Sequence, residues 1–410
     1  MSAWDIIREE LEKKSVFRGK ESLTPEFLPE KLPHREEQLR ELVAMFKHLA
    51  ISPGSFSQKV LLVGSVGTGK TVTARIFGRD FTRALFKQGL SVKYVHINCH
   101  RNRQLYNIVL DIARQMNVLL PNRGLSAWEM YLAILNHLDE TNSYAIIALD
   151  EFDYFARISG KDAVYFLVRT YDEYADMIKR INFIFITRDP SNLSLLDSAT
   201  ESYLLRHVIK LSPYKSRELL DILKYRAGQA FYEGVVEEDA IKYIAELEGY
   251  DRGGRGNARF ALELLMLAGE IADKEGSLKV SVEHVRKAVT ALSPDIINVS
   301  DAIYYLPLHE LLLLWAIVRL LRRTKMSYVS MGDAETEYVT LCESVGEQPR
   351  RHTQVYEYAM NLKRASIIDA KPSGKGLRGR TTLLSIKYGP LDALEKLIED
   401  LVAKKRGELS

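Results

Sequence analysis

The stretch "GSVGTGKT", Gly64 to Thr71, decides how the rest of the chain is read. It fits the pattern G-x-x-x-x-G-K-[ST], and its surroundings are right for that pattern. The apolar run "KVLLV" before it reads as a buried strand, and helical spacing follows from Lys70 to about Lys87. In such a loop the glycines let the backbone wrap and aim its N–H groups at a phosphate, and the helix that follows adds its N-terminal dipole. Gly64, Val66, Gly67, Thr68 and Gly69, continued by Lys70, Thr71 and Val72, form the candidate nucleotide cradle. Lys70 is placed to reach the β- and γ-phosphates, and the Thr71 hydroxyl to ligand Mg²⁺.

The second half of such a site is supplied by "YAIIALDEFD", an apolar strand ending in acids. Asp150, at the strand end, is the candidate metal ligand beside Thr71, and Glu151 the candidate general base that polarises an attacking water. A solvated pair of strand-end acids is the competing reading. "SVKYVHINC" and "INFIFIT" are further strands, and strands alternating with helices imply a parallel α/β sheet. After Pro213 the strand pattern stops. Ser216–Tyr232, Glu238–Glu248, Gly256–Lys274 and Ser281–Leu292 carry helical apolar spacing, the mark of an all-helical domain. "SPDIINVSD", 293–301, reads as a linker. The expected domains are therefore 1–215 (lead-in plus phosphate-loop α/β domain), 216–298 (helical lid) and 299–410.

The totals fit a chain of several soluble domains. There are 410 residues, 46% hydrophobic and 27% charged, with a net charge of only +3, so affinity for a polyanion has to come from a local patch. The two cysteines, Cys99 and Cys342, form no CxxC or Cys/His cluster, which argues against zinc and fits a reducing cytosol. The longest apolar run, Leu311 to Leu321, is too short for a bilayer span and Arg319 interrupts it. The N-terminal stretch "MSAWDIIREELEKK" lacks an apolar signal core. A cytoplasmic protein without a membrane partner is expected.

A second glycine-basic stretch, "KPSGKGLRGRTTLLSIK", lies near the end, at Lys371 to Lys387. It has neither the strand–loop–helix order nor the hydroxyl of a nucleotide loop. Three helical stretches precede it, the last beginning "RRHTQVYEYAM", and a strand lies on each side of its basic tip. Three helices and a hairpin describe a winged helix-turn-helix. From Arg350 to Lys387 the bases are Arg350, Arg351, Lys363, Arg364, Lys371, Lys375, Arg378, Arg380 and Lys387, against the acids Glu357 and Asp369. Arg350, Arg351, His352 and Gln354 at the start of the third helix are candidates to meet the major groove of duplex DNA. Lys371, Lys375, Arg378 and Arg380 on the wing are candidates to follow its phosphates. A solvated hairpin on a domain used for protein contacts is the alternative.

The adjacent acids after the strand and the helical lid resemble the AAA+ ATPases. The segment "GRGNARFALELLMLAGEIADKEGSLKVSVEHVRKAV", Gly254 to Val289, is more specific. With the entry "LPEKLPHREEQL" and the turn "LSPYKSRELLDILKYRA", it resembles the archaeal replication initiators, the origin-recognition-complex and cell-division-control family. The resemblance covers nearly the whole chain in order. It implies an α/β AAA+ core with a helical lid and a C-terminal winged helix. It also implies ATP or ADP with Mg²⁺ as cofactors, weak ATPase activity, and double-stranded origin DNA as partner. Other initiator paralogues and a replicative helicase of the minichromosome-maintenance type would be further partners, at the nucleoid. By position, Arg259 matches the lid arginine that reaches toward the γ-phosphate, Tyr214 and Arg226 match lid residues that close over the nucleotide, and Arg35, after His34, lies near the adenine. In the same part of the fold the family carries a DNA-touching insertion, here around Arg101 and Arg103; a plain surface loop is the competing reading.

Two positions depart from the family. Arg188 stands where a polar amide usually contacts the γ-phosphate and water; a guanidinium cannot accept a hydrogen bond from that water, though it can neutralise phosphate charge as a catalytic cation. Ala199 occupies the position of the trans-acting arginine, with Arg206 nearby and out of register. Loss of that arginine implies slow turnover and ADP retained through purification; if the register slips, Arg206 or Arg188 takes the role. The rival readings are a clamp-loader-like or motor ATPase, and a regulatory switch whose winged helix binds a promoter or a protein.

Overall fold

The computed structural model describes residues 2–12, 14–121, 124–173, 177–189, 191, 198–292, 303–304, 306–365, 367–373, 381–386 and 390–407. In chain order the helices begin with α1 (Ala3–Glu12), α2 (Glu36–Phe46), α3 (His48–Ile51), α4 (Lys70–Lys87), α5 (Leu105–Gln115), α6 (Ala127–Glu140), α7 (Phe152–Glu173) and α8 (Ser198–Leu204). They continue with α9 (Ser216–Ala230), α10 (Glu238–Glu248), α11 (Ala258–Lys274), α12 (Val282–Leu292), α13 (Leu308–Thr324), α14 (Met331–Val345), α15 (His352–Arg364) and α16 (Leu391–Gly407). The strands are β1 (Lys59–Val63), β2 (Val92–Asn98), β3 (Tyr144–Asp150), β4 (Ile181–Thr187), β5 (Val208–Lys210), β6 (Val329–Ser330), β7 (Asp369–Pro372) and β8 (Thr382–Ser385). Two compact units result: residues 28–218 with 255–259, and residues 1–27 with 219–254 and 260–410.

The first unit is built on a five-stranded parallel sheet in the order β2-β3-β4-β1-β5. Its middle strands are apolar on both faces because helices cover both faces. Side chains alternate between the two sides. Val60, Leu62, Ile146, Ala148, Ile184 and Ile186 pack with Leu42 and Phe46 of α2 and Phe77 of α4. Leu61, Ile147, Leu149, Phe183 and Phe185 pack with residues of α5, α6 and α7. Each such side chain taken from water contributes about 1.5–3 kcal/mol. Gly78 lets α4 lie close on β2, since a Cβ there would stand 2.3 Å from the Tyr94 ring. The parallel arrangement brings the C-terminal ends of β1, β2, β3 and β4 to one edge, where ligands sit in open α/β sheets.

The second unit joins the lead-in, the lid helices and the winged helix. The lead-in is extended after α1 and lies across the lid: Val16 N–H donates to Asp273 Oδ1 at 2.6 Å, and Phe17 stacks on Phe231 with centroids 4.7 Å apart. Phe17 also fills the space over Gly269, where a Cβ would meet its ring at 2.4 Å. In the winged helix, α13, α14 and α15 pack around one apolar core with an antiparallel sheet of order β6-β8-β7. Ser330 caps α14 by accepting from Asp333 N–H at 3.1 Å, and Gly346 ends the helix in the left-handed conformation.

A buried cation ties lid to winged helix within this unit. Arg286 of α12 is 1% exposed, and its Nη2 donates to Met326 O at 3.1 Å and Ser327 O at 3.5 Å. Its Nε donates to Ile386 O at 3.4 Å, which also accepts from Tyr243 Oη at 2.8 Å. Glu283 pairs with Arg286 Nη1 at 3.4 Å and accepts from Leu391 N–H at 3.1 Å. Arg286→Met keeps the bulk and removes the donors, leaving the Met326 and Ser327 carbonyls without this partner. It is expected to lower stability by about 1–3 kcal/mol, read as a lower urea midpoint; an unchanged midpoint refutes the assignment.

Candidate nucleotide site and winged-helix face

Residues 64–71 form a wrapped loop between β1 and α4. Gly67 and Gly69 take φ values of 76° and 90°, a region that favours glycine. The Lys70 ammonium donates to Gly64 O at 2.6 Å and Ser65 O at 2.9 Å. The loop is braced from outside. Arg35 is 4% exposed, and its guanidinium donates to Thr68 O at 3.0 Å, His34 O at 2.9 Å and Ser212 O at 2.7 Å while lying 3.8 Å from the Tyr214 ring centre. Tyr214 is buried against Gly69, where a Cβ would stand 2.8 Å from its hydroxyl. Arg35, expected near the adenine, is thus engaged with one carbonyl of the loop, Thr68 O, and with those of His34 and Ser212, because a buried guanidinium has to be satisfied. At the start of α11, Ala258 N–H donates to Gly67 O at 3.1 Å, and Asn257 abuts Gly67.

At the end of β3, Thr71 Oγ1 donates to Asp150 Oδ2 at 2.6 Å, so the two candidate metal ligands are in contact. His96 Nε2 lies 3.3 Å from the same oxygen, and the Glu151 N–H donates to Asp150 Oδ1 at 2.9 Å. Burial pushes the Asp150 carboxyl up, but the hydrogen bonds from His96 and Thr71 outweigh it and hold it below the usual carboxylate range. A hydroxyl whose proton is directed at a carboxylate keeps its lone pairs for a cation, and this all-oxygen pair suits a hard ion such as Mg²⁺. Glu151 sits in the left-handed region at φ 55°, and Arg188 Nη2 donates to its Oε1 at 2.9 Å. Arg188, expected to face phosphate, is here on the candidate base. Arg259 is exposed, and like Arg188 its charge is felt at Lys70.

Arg226, in the other unit, is buried. Its guanidinium donates to Ser22 O and, at 3.4 Å, to Thr24 O, and lies 4.9 Å from the Phe27 ring centre. It holds the lead-in. On the winged helix, Arg350, Arg351, His352 and Gln354 are exposed at the start of α15. Arg350 Nε donates to His309 Nε2 at 3.1 Å, and His352 Nδ1 lies 2.5 Å from Glu335 Oε2. Lys371 departs from its expected role: its ammonium pairs with Glu246 of α10 at 2.5 Å and lies 3.6 Å from the Tyr328 ring centre, so it stands inside the lid contact and not on an open wing. Lys375, Arg378 and Arg380 lie outside the described residues. Tyr94 and His96 carried no motif in the sequence; the one available signal was two polar rings at alternate positions of β2.

Among the described residues no group of three or more His, Cys, Asp or Glu is arranged to hold a metal, and no helix is long and apolar enough to cross a membrane. A phosphate loop on a 5-1-4-3-2 parallel sheet, a helical lid and a terminal winged helix define an AAA+ protein with an appended winged helix. Residues 57–190 match the family described as "AAA domain", 220–290 "Cdc6 AAA+ ATPase-type lid domain" and 301–396 "CDC6, C terminal winged helix domain". The chain is 44% identical over 407 residues to ORC1-type DNA replication protein 2 of Saccharolobus solfataricus, covering 99% of this chain and 98% of that one. It belongs to the family of ORC1-type DNA replication proteins, the archaeal Cdc6/ORC initiators. Among solved structures it is similar to Cdc6p from Pyrobaculum aerophilum, with TM-score 0.81, 31% identity, and 95% and 100% of the two chains covered. It is also similar to the Aeropyrum pernix ORC1 protein in complex with DNA, with TM-score 0.60, 29% identity, and 96% and 98% covered.

Burial pushes the Lys70 ammonium down to about 8; Asp150 opposes this, and Arg188 and Arg259 add to it. The unfolded value is about 10.4, so between those pH values the unfolded chain holds the extra proton and stability of the ligand-free protein rises with pH. The swing through Lys70 is on the order of 3 kcal/mol. Lys70→Met, which has no titrating group at this position, is therefore expected to show a flatter rise of stability between about pH 8 and about pH 10 than wild type. Parallel pH profiles in urea unfolding would refute this.

Proposed function

We propose that this protein is an ATP-controlled replication initiator that binds duplex origin DNA and helps load the replicative helicase, with slow hydrolysis as its switch. The observation that carries the reading is one chain holding both a braced phosphate loop, with Thr71 on Asp150, and a winged helix whose α15 opens with Arg350, Arg351, His352 and Gln354 exposed. The DNA complex of the Aeropyrum pernix relative supports the second half. The division at 1–215, 216–298 and 299–410 gives each task a domain, and the setting is the nucleoid in the cytoplasm.

In this reading Lys70 leaves the Gly64 and Ser65 carbonyls for phosphate oxygens, and the N–H groups of the loop, from Val66 to Val72, surround the β-phosphate. Thr71 and Asp150 hold Mg²⁺, which neutralises phosphate charge when bound. Glu151 accepts the proton of the attacking water once Arg188 has left it for phosphate charge. Arg259 reports the nucleotide to the lid, and Tyr214 backs the loop. Ala199 supplies no cation in trans, so turnover is slow and ADP is retained. Arg351 and the wing residues Arg378 and Arg380 grip DNA phosphates. Paralogues and a helicase of the minichromosome-maintenance type are the protein partners.

Fluorescence anisotropy with duplex DNA across a salt series tests the reading. Arg351→Ala is expected to weaken binding and make the log–log salt slope shallower by about 1, and Arg378→Ala/Arg380→Ala by about 2. Wild type without duplex affinity at moderate salt, or variants with the wild-type slope, would sink the DNA half. For the nucleotide half, Glu151→Gln is expected to keep nucleotide affinity while losing 10²-fold or more in turnover, roughly a general base's share. Equal turnover in the two proteins would remove Glu151 from its role.

A further inference from the structure

We infer that Tyr94 and His96 are positioning residues that set the carboxylate of Asp150 for its cation, an inference that rests on reading Thr71 and Asp150 as the Mg²⁺ holders. Both rings stand on β2, two residues apart and so on one face of the strand. β2 pairs in parallel with β3, His96 opposite Ala148 and Asn98 opposite Asp150. The ring of His96 bridges the two strands: Nε2 lies 3.3 Å from Asp150 Oδ2, and Nδ1 lies 2.9 Å from Tyr94 Oη. The side chains of His96 and Asp150 are 10% and 8% exposed, so water does not compete freely for these bonds.

With the imidazole of His96 neutral, the direction of every proton in this chain is fixed. An ionised Asp150 only accepts, so Nε2 carries the hydrogen and donates to Oδ2. In that neutral tautomer Nδ1 is an acceptor, and the Tyr94 hydroxyl must donate to it. Asp150 therefore takes hydrogen bonds from Thr71 and His96 on Oδ2 and from the Glu151 N–H on Oδ1. Three donors from three segments fix the carboxylate plane. Among them His96 alone is neither a proposed cation ligand nor part of the Asp150–Glu151 turn.

The rings are themselves held in place. Gln115 of α5 donates from Nε2 to His96 O at 3.1 Å and accepts from His96 N–H at 3.4 Å, which pins the backbone of the sheet's outer strand. The Tyr94 ring lies against Gly78 of α4. That helix carries Lys70 and Thr71 at its start, so the route from Gly78 through Tyr94 and His96 to Asp150 closes a loop on the phosphate helix. Groups that orient a metal-holding carboxylate typically change metal affinity by about 10–100-fold when removed.

The test is Mg²⁺ titration of the binding of a fluorescent ADP analogue to the full chain, with affinity in EDTA as the reference. His96→Leu is expected to raise the Mg²⁺ concentration for half-effect by about tenfold or more, with affinity in EDTA within about twofold of wild type. His96→Gln, which keeps an N–H donor, recovers part of the loss, and Tyr94→Phe shows a smaller shift in the same direction. If Thr71→Ala loses the Mg²⁺ effect while His96→Leu and Tyr94→Phe keep the wild-type midpoint, the role of the two rings is refuted and the cation site stands. If Thr71→Ala also titrates like wild type, the cation-site reading fails and takes this inference with it. Should His96→Leu not fold, Tyr94→Phe, which removes one hydroxyl, decides alone.

Discussion

The hydrogen bond from Thr71 to Asp150 is the point on which the α/β unit turns. The two residues are far apart in sequence: Thr71 is in the first turn of α4, which follows β1, Asp150 ends β3, and β4 lies between those two strands. Their side chains meet because three parallel strands end level: Val63 stands opposite Thr187, and Leu149 opposite Phe185. A one-residue slip of β3 against β4 would turn Asp150 to the other face of the sheet. Apolar side chains on both faces, each against its own layer of helices, make that slip expensive. The site's geometry is thus a consequence of packing well away from it.

The elements that could be read from the chain alone are those whose signal is local. The phosphate loop, α4 from Lys70 to Lys87 and the apolar strands β1, β3 and β4 each carry their pattern within a few turns. β5 is three residues long with one buried, too little for any periodicity, and so went unread. The partners of buried cations were equally hidden. Arg35 is expected near the adenine and Arg226 over the nucleotide, yet the first binds the carbonyls of Thr68, His34 and Ser212 and the second the lead-in. Apart from His34, next to Arg35, those acceptors come from distant backbone, which leaves no mark in the residues around the arginine.

The same distinction sorts the basic residues of the winged helix. Composition gathered them into one patch, but exposure divides them. Arg351 at the head of α15 faces solvent, whereas Lys371 at the root of the wing is paired with Glu246 and capped by Tyr328. An ammonium with a carboxylate at hydrogen-bond distance and an aromatic face beside it has little to gain from a phosphate. Like Arg286, Lys371 serves the junction of lid and winged helix. A charge count cannot separate a cation that holds the protein together from one that meets a ligand.

The candidate cation holder and the candidate general base differ in how firmly they are held. Asp150 has three donors, and the loop is braced by Arg35, Tyr214 and the start of α11. Glu151 occupies a left-handed backbone conformation that costs a non-glycine residue about 1 kcal/mol or more, and its carboxylate is occupied by a half-exposed arginine. A rigid cradle beside a restrained base favours long occupancy over rapid turnover. That is the property a nucleotide-held switch needs and a motor does not. The proposed placing of Ala199 where the family carries a trans-acting cation points the same way from the sequence side.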